Sequence, residues 1–565
     1  MFRRARLVLL FAVVFLITLR FYSQRRSILD VTEGKTSGPW REEWGSPIKK
    51  AHSKGVNDST YDKSEEYVSY LRALHRKHGF TNDVPFVARR IKPKYTSSPL
   101  KSRPSLTQLK TPLLKAPISF TRARLDNDNL HLPSHPDIAP LTLPISRTGP
   151  NPHPRSIDAS SLLFAISTTY ARLTYANNAL LRDWAAWLTD GRSTSNGAGL
   201  VLTLHGATDP QLTTIRHELQ HLGIAATVSA SAEGDTDAGG RYAQLVQQMM
   251  RQRHREPNRK WFALVDDDVF FPCLNRLLSR LNTFDTSQTH YVGVPSERAD
   301  WVIDRGVAMT YGGGAVFMTP SMLDTAGQLL CLQYTKSGGQ TGGVDEDGGM
   351  TWDEGLYDCV ARNMPDVKMD VLPGLFSPSR AGADAEREVQ RGGGYASGSL
   401  PLALHRYRNY HRFEAGHGHA VTSACGEECF LQRFLFKDGW VLVNGYTLTR
   451  YDGGVAAVKV KPQKNKKKKE GEGVKTGEKL RIVDEEDVKE RHALQWKGKK
   501  KTWRLLDSRI REDGEVWQVY LNRRGGGNAV SGDVDDRRPG DVVHREEEEK
   551  SDVDSVILLV WEPEK

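Results

Sequence analysis

Between residues 160 and 265 short apolar runs alternate with amphipathic stretches, and that order limits the folds open to this chain more than any single residue does. Ser161 to Ser167, Gly199 to Leu204, Ile224 to Val228 and Trp261 to Val265 read as strands. Ala171 to Leu188, Pro210 to Leu222 and Ala238 to Arg253 read as the helices between them. A helix between successive strands is a crossover, so the expected class is α/β, a mainly parallel sheet with helices on both faces. The Trp261 to Val265 run is short, ends in β-branched or aromatic residues and is bounded by charge, as in a strand buried on both faces. It runs directly into Asp266, Asp267 and Asp268. Ligands of open α/β sheets bind beyond the carboxyl ends of the strands, which puts these acids at the rim of a cleft. Adjacent carboxylates repel by about 1 kcal/mol per pair even at water-like screening and a separation of about 4 Å. Two readings are open. A hard divalent cation such as Mg²⁺ or Mn²⁺, shared with a diphosphate, offsets the repulsion. Alternatively the acids form a turn before a helix that starts at Pro272 and favours negative charge at its N-terminus.

Further along, a helix is expected from Pro272 to Leu281 and strands around His290 to Val294 and Val302 to Ala308. Gly312, Gly313 and Gly314 precede the apolar run Ala315 to Met318; such a run lets backbone approach a ligand or lets a loop turn. A helix from Pro320 to Leu330 and a flexible acidic loop from Gln340 to Gly349 follow. Trp352 opens another helix with Asp353 and Glu354 in its first turn, which serve either as dipole partners or as a general base. His405 ends the apolar run Leu402 to Leu404, as a structural residue or a ligand. Trp440 to Tyr451 reads as a hairpin turning at Asn444-Gly445, and short strands are expected at Leu480 to Val483, Val516 to Leu521 and Val556 to Trp561.

Only 38% of the 565 residues are hydrophobic, so one large domain with long appendages is expected. Arg3, Arg4 and Arg6 precede an apolar run from Leu7 to Leu19, closed by Arg20, and no small-x-small cleavage site follows. Residues 1–26 therefore read as a cytoplasmic tail and uncleaved signal anchor, making the chain a single-pass type II protein of a Golgi or ER membrane, its bulk lumenal. Residues 27–157 are rich in Pro, Ser, Lys and Arg, with one helical patch from Ser64 to His78, and read as a disordered stem. Residues 158–435 hold the α/β domain, and 436–565 a small β-rich extension with a basic insertion from Lys459 to Lys479. The net charge of +10 comes largely from stem and tail, and a lumenal chain meets no nucleic acid. Asn57-Asp58-Ser59 is a glycosylation sequon suited to an exposed stem. Cys273, Cys331, Cys359, Cys425 and Cys429 allow two disulfides and one thiol in an oxidising lumen, with connectivity open. Cys425 and Cys429 suit a local bridge; a zinc site would need a second Cys/His pair of finger-like spacing, which is lacking.

Phe164-Ala165-Ile166-Ser167-Thr168-Thr169 with Arg172, Leu180-Leu181-Arg182-Asp183-Trp184, Lys260-Trp261-Phe262 leading into the three aspartates, Tyr291-Val292-Gly293-Val294-Pro295-Ser296 and Gly312 to Phe317 occur in one order. In that order and spacing the region from Ser161 to His405, under half of the chain, resembles the Fringe-like and core-1-type β1,3-glycosyltransferases, glycosyltransferase family 31. The resemblance implies a type A fold and inverting, Mn²⁺-dependent (or Mg²⁺-dependent) transfer of a hexose or N-acetylhexosamine. The donor would be a UDP-sugar, the acceptor a glycan or glycoprotein hydroxyl, and the product a β1,3 linkage. It assigns Asp266, Asp268 and His405 to the metal, Asp266 and Asp267 to metal and ribose, and Thr168 and Arg172 to the nucleotide. Gly313 and Gly314 fall in its donor-side glycine motif, which is longer here than the family's usual pair. Asp353 or Glu354 falls at its catalytic acid, the second acid here being Glu. The alternative from another class is a catalytically silent, membrane-anchored glycan-binding or scaffold protein with the same fold.

Overall fold

The computed structural model describes residues 64–97, 105–115, 118–126, 139–147, 157–191, 193–231, 238–294, 312–333, 352–372, 375–376, 401–405, 407–408, 414–460, 480–482, 491–525 and 552–563. The signal-anchor segment, the Asn57 sequon, the strand expected at 302–308, the acidic loop at 340–349 and residues 461–479 of the basic insertion lie outside them. No helix among the described residues is long and apolar enough to cross a membrane.

Eight strands form the central sheet in the order Leu480–Ile482, Met369–Val371, Tyr291–Val294, Gly312–Met318, Trp261–Val265, Leu162–Thr169, Gly199–His205 and Ala226–Ala230. Neighbours are parallel except around Gly312–Met318, which is antiparallel to both of its partners. Mixed α/β architecture with a mostly parallel sheet is therefore observed. Every residue of Trp261–Val265 is buried. Phe262 and Leu264 join one core with residues of the helices Ala238–Arg255, Pro320–Gln328 and Trp352–Asn363. On the strand beside it, Phe164 meets Trp187 and Phe271 instead, Trp187 coming from the helix Tyr170–Leu188. Cover on both faces is why these strands read as continuous apolar runs rather than alternating ones.

Successive strands step outward from Leu162–Thr169 through Gly199–His205 to Ala226–Ala230, and the chain then returns to place Trp261–Val265 on the other side of the first. The direction of winding reverses between Leu162–Thr169 and Trp261–Val265, and in open α/β sheets ligands bind beyond the carboxyl ends at such a reversal. Thr168 and the three aspartates stand there. The helix Tyr170–Leu188, expected to be continuous, is interrupted from Tyr175 to Asn178, with Ala176, Asn177 and Asn178 at φ 44°, 61° and 59°. Asparagine tolerates the left-handed region better than most residues, which helps the break to fall at Asn177-Asn178.

The disordered-stem reading does not hold for the described part of residues 27–157. The helix Ser64–His78 is present as expected, but Asp83–Ser97, Thr107–Gln108, Thr121–Arg124 and Leu141–Arg147 are strands of a ten-stranded sheet shared with the chain's other end. Asp83–Ser97 pairs in parallel with Ser555–Trp561, Phe86 opposite Val556 and Ile91 opposite Trp561. Val68, Leu71 and Leu74 of the helix pack on Trp517, Val519, Leu558 and Val560. Neither end buries enough apolar surface alone; joined, they make a core of their own. The extension is thus not a small appendage. The expected boundary at residue 435 is crossed in both directions. Arg433–Leu435 pairs with Trp440–Val443 in the ten-stranded sheet, whereas Leu480–Ile482 edges the central one. The hairpin at Asn444-Gly445 forms as expected. Disulfides join Cys331 to Cys359 and Cys425 to Cys429, and burial followed by the charge of Glu427 pushes the free Cys273 thiol up to about 12.

Candidate functional site

The turn after Trp261–Val265 is fixed by backbone, the Asp266 amide donating to the Gly314 carbonyl at 2.8 Å. Its three carboxylates then take two different surroundings. Asp266 and Asp268 face His405, whose Nε2 lies 3.0 Å from Asp266 Oδ2 and 3.1 Å from Asp268 Oδ1. One donor atom from each of Asp266, Asp268 and His405 lies within 4.8 Å of the others. Asp267 turns away. Both of its oxygens bind Arg172, Nε to Oδ2 and Nη2 to Oδ1 at 2.7 Å each, and Thr168 Oγ1 also donates to Oδ2. The Trp184 indole donates to the Asp267 carbonyl at 3.1 Å. Burial pushes the Asp267 carboxyl up from its ordinary value, against the pull of the Arg172 guanidinium. The Arg172 side chain is 45% exposed, whereas that of Asp267 is 11% exposed.

His405 reaches the acids through a three-stranded sheet. Ala403–His405 is antiparallel to Val269–Phe270, with His405 opposite Val269, the residue that follows the acid triplet. The imidazole is 5% exposed and lies against Gly314. Gly314 has φ +83°, and a Cβ there would stand 2.5 Å from His405 Nδ1 and 2.6 Å from Cε1. Absence of a side chain at 314 is thus required by the histidine, whatever else approaches the strand. Gly313 lies in the same strand, Gly312–Met318.

Two residues that sequence reasoning passed over complete the surroundings of Asp266. Its Oδ1 accepts from Trp352 Nε1 at 2.6 Å and from the Tyr242 hydroxyl at 2.9 Å. The two rings stack with centroids 4.0 Å apart and planes 5° from parallel. Burial, then the charge of Asp266, holds the Tyr242 phenol well above its ordinary pKa, so it stays a donor. Tyr242 carried no signal beyond a place in an amphipathic helix, but Trp352 directly precedes the acid pair. Asp353 is buried at 6% exposure, near the Tyr291 phenol that burial and the Asp353 charge push far up. Nothing is described of the Glu354 side chain, although its backbone lies in Trp352–Asn363.

Two carboxylate oxygens and an imidazole nitrogen aimed at one point fit a divalent cation, and three protein donors leave positions for substrate oxygens. Without a cation the same atoms suit an imidazolium between two carboxylates. No family model and no curated protein matches the sequence. Among solved structures the chain is similar to a glycosyltransferase involved in glycosylation of the major capsid of PBCV-1, at 11% identity and a TM-score of 0.24, covering 45% of this chain and 99% of that one. Mouse xyloside xylosyltransferase 1, apo form, matches at 10% identity and a TM-score of 0.27, covering 44% and 98%. A 4-diphosphocytidyl-2C-methyl-D-erythritol synthase from Anaerococcus prevotii matches at 11% and 0.25, covering 41% and 100%. Likeness at these scores decides neither fold nor activity, and the geometry stands by itself.

Proposed function

We propose that the chain is a glycosyltransferase that moves a hexose or N-acetylhexosamine from a UDP-sugar to a hydroxyl of a glycan or glycoprotein, inverting the anomeric centre and forming a β1,3 linkage. The observation that carries this reading is the convergence of Asp266, Asp268 and His405 at the point where the sheet's winding reverses. Mn²⁺ bound there supplies Lewis acidity toward the departing diphosphate. Asp266, Asp268 and His405 hold it. Arg172, held by both oxygens of Asp267, which Thr168 in turn binds, places positive charge beside the acid turn for the anionic donor. Asp353 or Glu354, at the start of the helix that touches Asp266 through Trp352, takes the proton of the acceptor hydroxyl as it attacks from the side opposite the leaving group. Two disulfides and the N-terminal apolar run support a lumenal setting in the Golgi or ER behind a membrane anchor.

The test is UDP-sugar turnover with Mn²⁺ and with EDTA, which also separates an enzyme from a silent scaffold. Asp268→Ala should abolish Mn²⁺-dependent turnover and leave the circular dichroism spectrum unchanged; full activity of that variant with Mn²⁺ overturns the metal assignment. Asp353→Asn with Glu354→Gln should lower turnover by about 10²–10⁴-fold while UDP still binds. Loss of UDP affinity in that double variant would show that the base lies elsewhere.

A further inference from the structure

Asp266 differs from an ordinary acidic ligand in how its two oxygens are divided. Oδ2 faces His405 at 3.0 Å, while Oδ1 is held by the Trp352 indole at 2.6 Å and the Tyr242 hydroxyl at 2.9 Å. The Tyr242 hydroxyl also lies 3.0 Å from the Val265 carbonyl, so its one proton is shared and the indole N–H is the dedicated donor. Both rings are only 6% exposed and stack on each other, which leaves the indole little freedom to follow a moving carboxylate without moving its own backbone. That backbone is the first turn of Trp352–Asn363, one peptide bond from Asp353.

We propose that Trp352 is a positioning residue: it fixes Asp266 with one oxygen turned to the cation, and so makes cation binding and the seating of the Asp353-bearing helix start a single event. The proposal rests on the metal-site reading above. Fixed orientation of a ligand by an outer hydrogen bond is worth roughly 10–100-fold in metal affinity. Coupling between the two events must act in both directions. Tyr242 shares the first duty but not the second, because its helix, Ala238–Arg255, carries no member of the acid pair.

The experiment needs Mn²⁺ alone, on the whole protein. Amide hydrogen exchange of residues 355–363 is measured with and without Mn²⁺, and Mn²⁺ affinity by calorimetry, for the wild type, Trp352→Phe and Tyr242→Phe. In the wild type Mn²⁺ should slow exchange of that helix several-fold. Trp352→Phe keeps a ring on Tyr242 but has no N–H; it should bind Mn²⁺ about 10–100-fold more weakly and, once saturated, show no slowing. Tyr242→Phe should bind more weakly yet keep the slowing when saturated. Tight Mn²⁺ binding to the wild type without slowing overturns the proposal and needs no variant. Full slowing in saturated Trp352→Phe overturns it as well. No Mn²⁺ binding to the wild type, or equal binding to Asp268→Ala, sinks the metal site itself, a different outcome from either.

Discussion

Gly314→Ala perturbs the site through space that only a missing side chain leaves open. Alanine at φ +83° meets the left-handed penalty, about 1–2 kcal/mol of stability. The added methyl would stand 2.5 Å from His405 Nδ1, where ordinary contact begins at 3.4 Å, so the imidazole must retreat by close to an ångström. His405 is 5% exposed and its strand is paired to Val269–Phe270, so the imidazole cannot give way without disturbing the placement of its Nε2 against the two carboxylates. Displacing one of three cation donors should lower Mn²⁺ affinity by at least the roughly 10–100-fold typical of disturbing a ligand's support, about 1.4–2.7 kcal/mol. Gly206→Ala is the matched control. Its φ is +65° and its Cβ would meet nothing within 4 Å, so it should lose stability alone. Calorimetric Mn²⁺ titration of the two variants beside the wild type and His405→Ala decides the matter. If Gly314→Ala binds Mn²⁺ as Gly206→Ala does while His405→Ala binds weakly, the steric argument is wrong.

Acid stability should depend on His419, which packs edge-on against Phe270 and Phe430 and whose pKa burial pushes down to about 4 from 6.5. Because the folded value lies below the unfolded one, its contribution is complete above about pH 6.5 and is lost as pH falls through 4, about 3 kcal/mol in all; His419→Phe should flatten that fall in urea midpoints between pH 7.5 and 4.5, and an unchanged slope would refute it. Removing residues 1–63 should leave a cooperative thermal transition. Removing 1–97 strips the partner strand from Ser555–Trp561 and the helix from its core, and should abolish that transition; a cooperatively folded fragment starting at residue 98 would refute the shared-sheet argument.

The central sheet was legible where its strands are buried on both faces: Leu162–Thr169, Gly199–His205 and Trp261–Val265 leave a nearly unbroken apolar signature, whereas Ala226–Ala230, at the sheet's edge and mostly exposed, was read two residues early. The ten-stranded sheet was not, for two physical reasons. Its first strand alternates, Ile91 and Pro93 inward between exposed Arg90, Lys92 and Lys94, and composition alone reads that as a basic, proline-bearing stem. Its partner, Ser555–Trp561, lies at the far end of the chain, beyond any local pattern. In the site, the acid triplet announced itself through clustered charge, but its division into a facing pair and an Arg172-bound third was invisible. Position and resemblance brought His405 forward; neither could show that Gly314 makes room for it. Tyr242 and Trp352 act on Asp266 through single hydrogen bonds between remote elements, and such contacts have no spacing to read.

One helix explains how the two halves of the site stay in register. Tyr170–Leu188 grips the acid turn twice, with Arg172 on the Asp267 side chain and Trp184 on its carbonyl. From the same helix the buried Asp183 takes the segment that follows His405, accepting from the Tyr407 hydroxyl, from Arg408 at 2.6 and 3.1 Å, and from the Gly416 amide at 2.9 Å. A buried carboxylate with that many donors is costly to disturb, since losing partners leaves it uncompensated. The next residue along that segment, His417, binds Asp507 at 3.0 Å, and Asp507 also accepts from Tyr70 at 2.5 Å. Asp507 belongs to Lys500–Ile510 and Tyr70 to Ser64–His78, both part of the second body of sheet and helix. The histidine segment is therefore pinned on one side by the central domain and on the other by the joined chain ends, so loss of Ser64–His78 or Asp83–Ser97 reaches His405 as well as the core it directly unpacks.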